Sequence, residues 1–481
     1  MTYARLLLPC TLACLAACAA GPDFQRPTLP EGTRYSGTEV PATLGGDAAT
    51  PDVAAQHLLP GAPLDEQWWK LFGSEAIDRI VEQALAGNRP LEAAVAALDQ
   101  ARELAQASAG GLLPQVGLTA GLGRQKYGAQ FLGSLPKPPP FTYFAIGPRI
   151  SYALDYTGGA ARSVEQQRAL AEVRGHQLEA ARLAVSGNAV LQALRIAALR
   201  EQIATVEELL GRDRQNVSLV EEARAAGSVS QLDVLTARSQ QASDATLLPP
   251  LQQELQQARH ALAVIAGVAP ADAALPEPAL ADITLPAQLP LAVPSELAHR
   301  RPDILAAEAQ LHAATAAVGV ATADLYPRIT LTASTGQEAI QAGDIFNSSS
   351  NVWALGAGLV APIFDGGTLR TRQRAAQAAL RANAANYQQT VLEAFAQIAD
   401  SLQALDHDAQ ALQAQRTAAA TARETADLTR SAYQEGETTV LQVLDAERRY
   451  QQAQLGFVRT EAQRYLDSMQ LLLALGPGAA R

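Results

Sequence analysis

The chain has 481 residues and a formal net charge of −11. Binding to nucleic acid is therefore not expected, because phosphate contacts need clustered Lys and Arg. Charged residues make up 18% and aromatic residues 5% of the chain, which excludes a large aromatic core and favours alanine-rich helices that pack through small side chains. All three cysteines, Cys10, Cys14 and Cys18, lie near the amino terminus, so the body of the chain cannot form a disulfide or a cysteine zinc site.

The amino terminus has the pattern of a secretory signal peptide. Arg5 precedes an apolar run over residues 6–17, which is too short for the ~20 residues that span a bilayer as a helix. The run ends in Leu-Ala-Ala-Cys at residues 15–18, which resembles a bacterial lipobox. We expect cleavage before Cys18 and a covalent lipid on Cys18; an ordinary signal peptide with an incidental cysteine is the alternative. Ala19, in place of Asp, indicates sorting to the outer membrane.

The body of the chain contains an internal duplication with an offset of about 210 residues. Gly158-Gly159 matches Gly366-Gly367, and Gly227 matches Gly436, with three further matches in the same order at nearly the same offset. We divide the chain into a signal peptide (1–17), a lipidated irregular segment (18–64), repeat 1 (65–272), a proline-rich linker (273–295) and repeat 2 (296–481).

Each repeat predicts the order helix, strand, loop, strand, long helix, tight turn and helix. The long helices, from Gly159 to Gly227 and from Gly367 to Gly436, contain no proline and would be about 100 Å long. Their apolar residues recur every 3.5 positions, which is typical of coiled coils. The shorter helices are predicted at 90–113, 229–266, 302–326 and 438–475. The length of a short helix plus that of a return helix roughly equals the length of one long helix, which predicts a tall cylindrical wall.

Four segments, around residues 116–122, 146–154, 329–333 and 353–361, alternate apolar with small or polar side chains. This period over about 10 residues is typical of transmembrane β-barrel strands, although a soluble sheet with one buried face gives the same pattern. Four strands cannot close a barrel, and lipid does not tolerate open edges. Two chains would pool eight strands into a barrel whose interior the side chains fill, whereas three would pool twelve strands into a barrel wide enough to conduct. We therefore expect a homotrimer with a shared barrel.

Short motifs occur in a fixed order along nearly the whole chain: Gly21-Pro22-Asp23-Phe24, Trp68-Trp69-x-x-Phe72, Arg301-Pro302-Asp303-Ile304, Phe364-Asp365-Gly366-Gly367 and Leu444-Asp445-Ala446. In this order they resemble the TolC-type outer-membrane efflux proteins, in the lipoprotein (nodulation-T-like) branch. The resemblance implies a mixed α and β fold: a homotrimer with a twelve-stranded transmembrane barrel and a periplasmic α-barrel of coiled-coil helices. It also implies an exit duct in the outer membrane of a Gram-negative bacterium, joined to an inner-membrane pump by a periplasmic adaptor.

The resemblance also implies a gate at the periplasmic tip, where this family coils its return helices inward. Asp445 matches an acidic constriction residue, while Asp233 and Tyr433 match residues that latch the closed state. Two positions depart from TolC itself: Gln442 replaces an acidic residue and Thr438 a basic one.

The two turns at Gly227 and Gly436 are expected to form the tips of the helical hairpins and to contact the adaptor. If the gate assignment is wrong, the acidic residues near these turns are solvated side chains with no role in closure.

No catalytic group is predicted. The six histidines are scattered and lack the His-Glu-x-x-His spacing of a zinc enzyme. We expect no enzyme, no metal and no cofactor apart from the lipid on Cys18, and outer-membrane lipid as the surrounding phase. The expected function is a passive efflux conduit. The exit duct of a type I protein-secretion system is a related alternative, and a non-conducting periplasmic coiled-coil scaffold is another, which the apolar strand faces disfavour.

Overall fold

A computed structural model describes residues 20–28, 35, 41–45, 55–126, 139–293, 297 and 299–476. The signal peptide, Cys18 and positions 127–138 lie outside these residues. The described chain forms two compact units. The first lies within Met1–Pro27, Ala97–Gly175 and Ala306–Tyr387, and the second within Thr28–Ala96, His176–Leu305 and Gln388–Arg481.

Both helices and strands occur in the described residues, as the sequence predicted. The helices are α1 (Glu75–Gly87), α2 (Arg89–Gly110), α3 (Gly159–Ala225), α4 (Gln231–Ala245), α5 (Leu248–Ile265), α6 (Pro302–Ala323), α7 (Thr368–Gln434) and α8 (Val440–Leu475). The strands are β1 (Thr43–Leu44), β2 (Gln56–Pro60), β3 (Gln115–Gln125), β4 (Phe141–Leu154), β5 (Gln288–Leu291), β6 (Arg328–Ala339) and β7 (Asn351–Val360).

The first unit contains an antiparallel sheet in the order β3-β4-β6-β7. Its register brings the apolar residues of all four strands to one face: Val116 pairs with Ile150, Ile150 with Ala333, and Ala333 with Leu355. Small and polar residues share the opposite face. Leu355 is 76% exposed. An exposed apolar face that runs across all four strands of a sheet is typical of strands that contact lipid.

The two longest helices, α3 and α7, have 67 residues each, or about 100 Å at 1.5 Å per residue. The coiled-coil period predicted for α7 is confirmed by burial, since Val391, Ile398, Leu405 and Leu412 recur every seven residues and are all buried. Among the described helices, α6 is the one that passes a length-and-hydropathy test for a membrane span, and 56% of its apolar window is buried within the protein, as in a core helix.

The prediction of one continuous return helix over 229–266 is wrong. The chain forms α4 and α5, with a break at Thr246 and Leu247. Pro249 and Pro250 lie in the first turn of α5, where a missing N–H is tolerated; within a continuous helix each would remove a hydrogen bond and clash with the preceding turn. The second return helix, α8, contains no proline and is continuous. The two shorter helices, predicted at 90–113 and 302–326, end three residues early as α2 and α6.

Residues 18–64 are not wholly irregular, contrary to our prediction. In the second unit, β1 pairs antiparallel with β2, and β2 pairs parallel with β5 from the proline-rich linker. The buried Arg464 of α8 donates to Gln56 Oε1 (3.1 Å) and to the carbonyl of Leu44 (3.1 Å), which attaches this small sheet to the helix. Strands of two to five residues are too short to show a period-two pattern.

Candidate gate at the helical tip

Two glycine turns connect the long helices to their return helices in the second unit. Gly227 follows α3 with φ +78° and Gly436 follows α7 with φ +80°, a region that glycine enters at least cost. The amide of Ser228 donates to the carbonyl of Ala223, and the Gly227 amide donates to Arg224. The same pair of bonds closes the Gly436 turn. Both turns are therefore Schellman caps, at the positions predicted for the hairpin tips.

The predicted gate residues Asp233 and Gln442 occupy equivalent places, three residues into the capping boxes of α4 and α8. Asp233 Oδ2 accepts from the backbone N of Ser230 (2.7 Å) and from its hydroxyl (2.8 Å), and these bonds hold the pKa of Asp233 below its usual value. Gln442 Oε1 accepts from the Thr439 amide (3.4 Å) and from the Thr438 hydroxyl. The two residues that depart from the TolC pattern, Thr438 and Gln442, are thus hydrogen-bonded to each other. Gln442 also closes the capping box, as a glutamate would at this position.

A small apolar cluster joins the two hairpins at the tip. We call it the tip cluster; its members are Val220, Val234, Ala237 and Val440. The predicted latch residue Tyr433 packs against the tip cluster, as does Leu444. In this structure Tyr433 contacts the cluster, and Asp233 caps its own helix.

Asp445, the predicted constriction residue, lies in the second turn of α8 and is flanked by two cations of the same helix. Its carboxylate accepts from Arg448 Nη2 (2.7 Å) and pairs with Arg449 Nη2 (2.8 Å). The Asp445 side chain is 41% exposed, so these pairs are weak in water. Sequence reasoning predicted an acidic constriction residue at Asp445 and missed its two arginine partners.

Glu447, also missed by sequence reasoning, is the most buried ionic group at the tip. Its side chain is 2% exposed and pairs with Arg430 of α7 and with Arg212 Nη1 of α3 (3.3 Å). Arg212 also lies over the ring of Tyr450, 5.5 Å from the centroid. We call Glu447 and its two arginines the tip clasp, because they connect α3, α7 and α8.

The internal duplication contains a signal for this clasp. The 209-residue offset maps Arg430 onto Glu221 and Glu447 onto Arg238, and Arg238 Nη2 pairs with Glu221 Oε1 at 2.6 Å. Each hairpin is therefore closed by an ion pair at the same two positions, with the charges reversed. Comparing the repeats for complementary charges would have identified Glu447.

A cleft of about 190 Å³ lies beside Asp445, lined by residues of α3, α4 and α8. Asp213 lines it, and burial together with the nearby Asp244 carboxylate raises the pKa of Asp213 to about 7. The cleft shows no set of ligands for a metal: within the part of the chain that the structure describes, no three His, Cys, Asp or Glu side chains are grouped to hold an ion.

Comparison with known proteins shows what this arrangement is similar to. The family model described as "Outer membrane efflux protein" matches residues 80–268 and again 293–477. The pyoverdine export outer membrane protein OpmQ of Pseudomonas aeruginosa is 35% identical over 86% of this chain and 87% of its own length. The probable outer membrane lipoprotein SilC of Salmonella typhimurium is 27% identical over 98% of both. The solved structure of the outer-membrane channel OprN aligns with a TM-score of 0.85 and 29% identity, covering 96% of this chain and 99% of OprN.

Proposed function

The chain belongs to the outer membrane efflux protein family, and on that premise we propose that its helical tip is the gate of the duct. The protein is an outer-membrane efflux channel of a Gram-negative bacterium, an exit duct in a family of transporters. Its four-stranded sheet is of the type that structural neighbours pool into a trimeric barrel. The sequence-based predictions of family, fold class and exit-duct function are confirmed.

The remaining partners are part of the proposal. A homotrimer would contact a periplasmic adaptor through the turns at Gly227 and Gly436, and the adaptor would connect it to an inner-membrane pump. Exposed leucines follow each turn at matching positions of the duplication, with Leu232 71% and Leu441 43% exposed. Exposed apolar side chains at a polar tip are typical of a surface that another protein covers.

The division of the chain is proposed with the predicted boundaries, except that the segment 18–64 contains β1 and β2, and with a lipid on Cys18 after removal of residues 1–17. Support for the lipid comes from the lipobox and from the relative named as a probable lipoprotein. Support for repeats at 65–272 and 296–481, separated by a linker at 273–295, comes from the two separate matches of one family model.

The gate proposal depends on one observation: the tip cluster and the tip clasp hold both hairpins together next to Asp445. On a threefold axis the α8 helices would bring three Asp445 carboxylates to a constriction, with Asp233 and Tyr433 at contacts that must change for it to widen. Adaptor contact at the turns would then separate the helices. A channel of this kind needs a continuous water path and no reactive group.

The test is the conductance of the purified mature trimer in planar bilayers. Asp445→Ala is expected to raise the conductance, because it removes a charged group from the constriction. Asp427→Ala is the matched control, since Asp427 is an exposed carboxylate of α7 with an arginine four residues away. Equal conductance in Asp445→Ala and wild type would refute the constriction assignment. Absence of conductance in both, with a trimer present, would instead favour a duct that stays sealed until its adaptor binds, or a non-conducting scaffold.

A further inference from the structure

Charged residues are rare on the four strands of the first unit, and most of them lie on one face. Successive side chains of a strand point to opposite sides of a sheet, so the face opposite the apolar one lines the interior of the barrel; we call it the lumen face. Arg149, Arg328 and Glu338 lie on the lumen face, whereas Arg124 lies on the apolar face. Arg328, the first residue of β6, is paired with Asp324 (2.5 Å). Among the described strand residues, Arg149 and Glu338 are therefore the charges left to act on the interior.

Arg149 stands in a row of small side chains. In the register of the sheet it pairs with Gly117 of β3 and with Ser334 of β6, and its neighbours two residues away on β4 are Gly147 and Ser151. None of these residues carries a charge, and a Cβ on Gly117 would meet no atom within 4 Å. The Arg149 side chain is exposed, and within the described part of the chain it makes no hydrogen bond or ion pair. Its charge is thus not neutralised by the wall.

Two hydroxyl groups of neighbouring rows are bonded to the wall itself. The Thr119 hydroxyl donates to the carbonyl of Gly147 (3.2 Å), and the Thr332 hydroxyl donates to the carbonyl of Gly356 (3.5 Å). Because these hydroxyls are satisfied by the backbone, Arg149 is the dominant polar group at this level of the lumen face.

Glu338 lies at a different level of the sheet from Arg149. It follows Ser334, the partner of Arg149, by four residues on β6, which is about 13 Å at 3.3 Å per residue. No ion pair joins Arg149 and Glu338. Each protomer hence has a basic level at Arg149 and an acidic level nearer the segment that connects β6 to β7.

The dimensions of a twelve-stranded barrel decide whether the charge of Arg149 is felt across the lumen. Twelve strands about 4.8 Å apart and tilted by about 40° give a radius of about 12 Å. The long stem of an arginine carries its guanidinium roughly halfway to the axis. This distance is shorter than the Debye length of about 8 Å at physiological salt, so an ion on the axis interacts with three guanidiniums at once.

We propose that Arg149 sets the charge preference of the barrel: three copies form a basic ring that favours anionic solutes, above all those that carry a carboxylate, over cations. Rings of arginine or lysine are the usual selectivity elements of anion pores. The planar fork of a guanidinium matches a carboxylate with two hydrogen bonds, and the exposed Arg149 has its donors available. This inference rests on the proposed trimeric duct and concerns which solutes that duct passes.

The first test measures the electrostatic potential beside Arg149 through a thiol introduced by Ser334→Cys. Purified trimers react with a negatively and a positively charged methanethiosulfonate reagent, and the ratio of the two rates is recorded with Arg149, Arg149→Gln or Arg149→Lys. Arg124→Gln is the matched control, because it removes the same charge from the opposite face of the neighbouring strand. Protein without Ser334→Cys is the blank, since Cys18 is the cysteine left after removal of residues 1–17. The reagents enter the barrel from its outer mouth, so the result does not depend on the state of the tip.

We expect Arg149→Gln to lower the ratio of anionic to cationic reaction rates about fivefold, from the loss of a nearby unit charge in water. Arg149→Lys and Arg124→Gln should match the unsubstituted background, and the difference should shrink at 1 M salt, where the Debye length is about 3 Å. An unchanged ratio in Arg149→Gln, or an equal fall in Arg124→Gln, would overturn the ring. Absence of reaction at position 334 would show that this face is not in contact with water and would overturn it as well.

The second test is the reversal potential of the trimer in a planar bilayer with a gradient of potassium chloride. Arg149→Gln should lower the ratio of chloride to potassium permeability, and Arg149→Lys should retain it, while the residues of the tip stay the same in all variants. Currents with an unchanged permeability ratio would overturn the charge preference and leave the channel proposal intact. A trimer that conducts no current would count against the open duct, and the thiol rates would still decide whether the ring is present.

Discussion

Removal of the charge on Glu447 should loosen the tip far more than removal of the carboxylate charge from the equivalent ion pair of the other hairpin, which lies on Glu221. The perturbations are Glu447→Gln and Glu221→Gln. Glutamine keeps the shape of glutamate and can accept one neutral hydrogen bond, but it cannot neutralise a guanidinium. The duplication places Glu221 opposite Arg238, as Arg430 stands opposite Glu447, so the pair is an internal control.

The expected magnitudes follow from burial. The Glu447 carboxylate is 2% exposed and accepts from two arginines; hydrogen bonds to charged groups contribute about 1.5–3 kcal/mol each. Water can partly compensate, because Arg212 is 30% and Arg430 43% exposed. The net loss is then about 2 kcal/mol, or about 30-fold in the ratio of closed to open tip at about 1.4 kcal/mol per factor of ten. The Glu221 pair is exposed on both sides and should contribute about 0.5 kcal/mol, or about twofold.

The assay is single-channel recording of the reconstituted trimer, which reports the time spent in the open state. Glu447→Gln should raise the open fraction strongly and Glu221→Gln only slightly, at the same salt concentration. Because exposed pairs are screened by salt and buried ones much less, the effect of Glu221→Gln should vanish at high salt while that of Glu447→Gln persists. Equal effects of the two substitutions, or no effect of Glu447→Gln, would refute the inference that burial makes the clasp the dominant tie.

Three further predictions concern the second unit. The free energy of unfolding of the trimer should fall as the pH rises from about 4 to 8, because the folded protein retains protons that the unfolded chain releases near pH 4. The pKa of Asp213 is raised to about 7. Burial and the Asp467 carboxyl raise the pKa of Asp408 to about 8. Asp408→Asn should flatten this decline, and an unchanged slope would contradict the assignment. Gln442→Ala should destabilise the start of α8 by about 1 kcal/mol, since it opens a capping box, measurable as faster hydrogen exchange near Thr439; Gln442→Glu should retain protection. Arg464→Met should release the small sheet, seen as faster proteolysis before residue 60, because Arg464 bonds both Gln56 and Leu44; wild-type cleavage would show that the sheet is held by other contacts.

Periodicity predicted the parts of this fold in which one pattern repeats many times. The seven-residue spacing of α7 and the alternation of the four long strands were readable because burial on one face selects each residue in turn. The small sheet could not be predicted in this way, since β1 has two residues and β5 four. Its stability comes from contacts such as Gln56 with Pro286 and Ser468, which lie hundreds of positions apart in the sequence.

The break between α4 and α5 was signalled by Pro249 and Pro250, but we predicted the same order of elements for both repeats, with one return helix in each. That prediction treated the repeats as identical, and they are not: the positions equivalent to the prolines are Val458 and Arg459, within the continuous α8. Proline overrides the repeat because the missing N–H and the ring act locally, whatever the partner repeat does.

The candidate gate likewise could not be predicted from one repeat alone, because equivalent positions of the two repeats have the same geometry and different chemistry. Asp233 and Gln442 both close a capping box, yet only Asp233 carries a charge. Glu221–Arg238 and Arg430–Glu447 both close a hairpin, yet with opposite sign and very different burial. Local rules of capping and pairing constrain which residue types fit, and either sign satisfies a pair. Burial decides which copy holds the tip, and burial arises from the packing of α3, α7 and α8, which no single segment of the sequence contains.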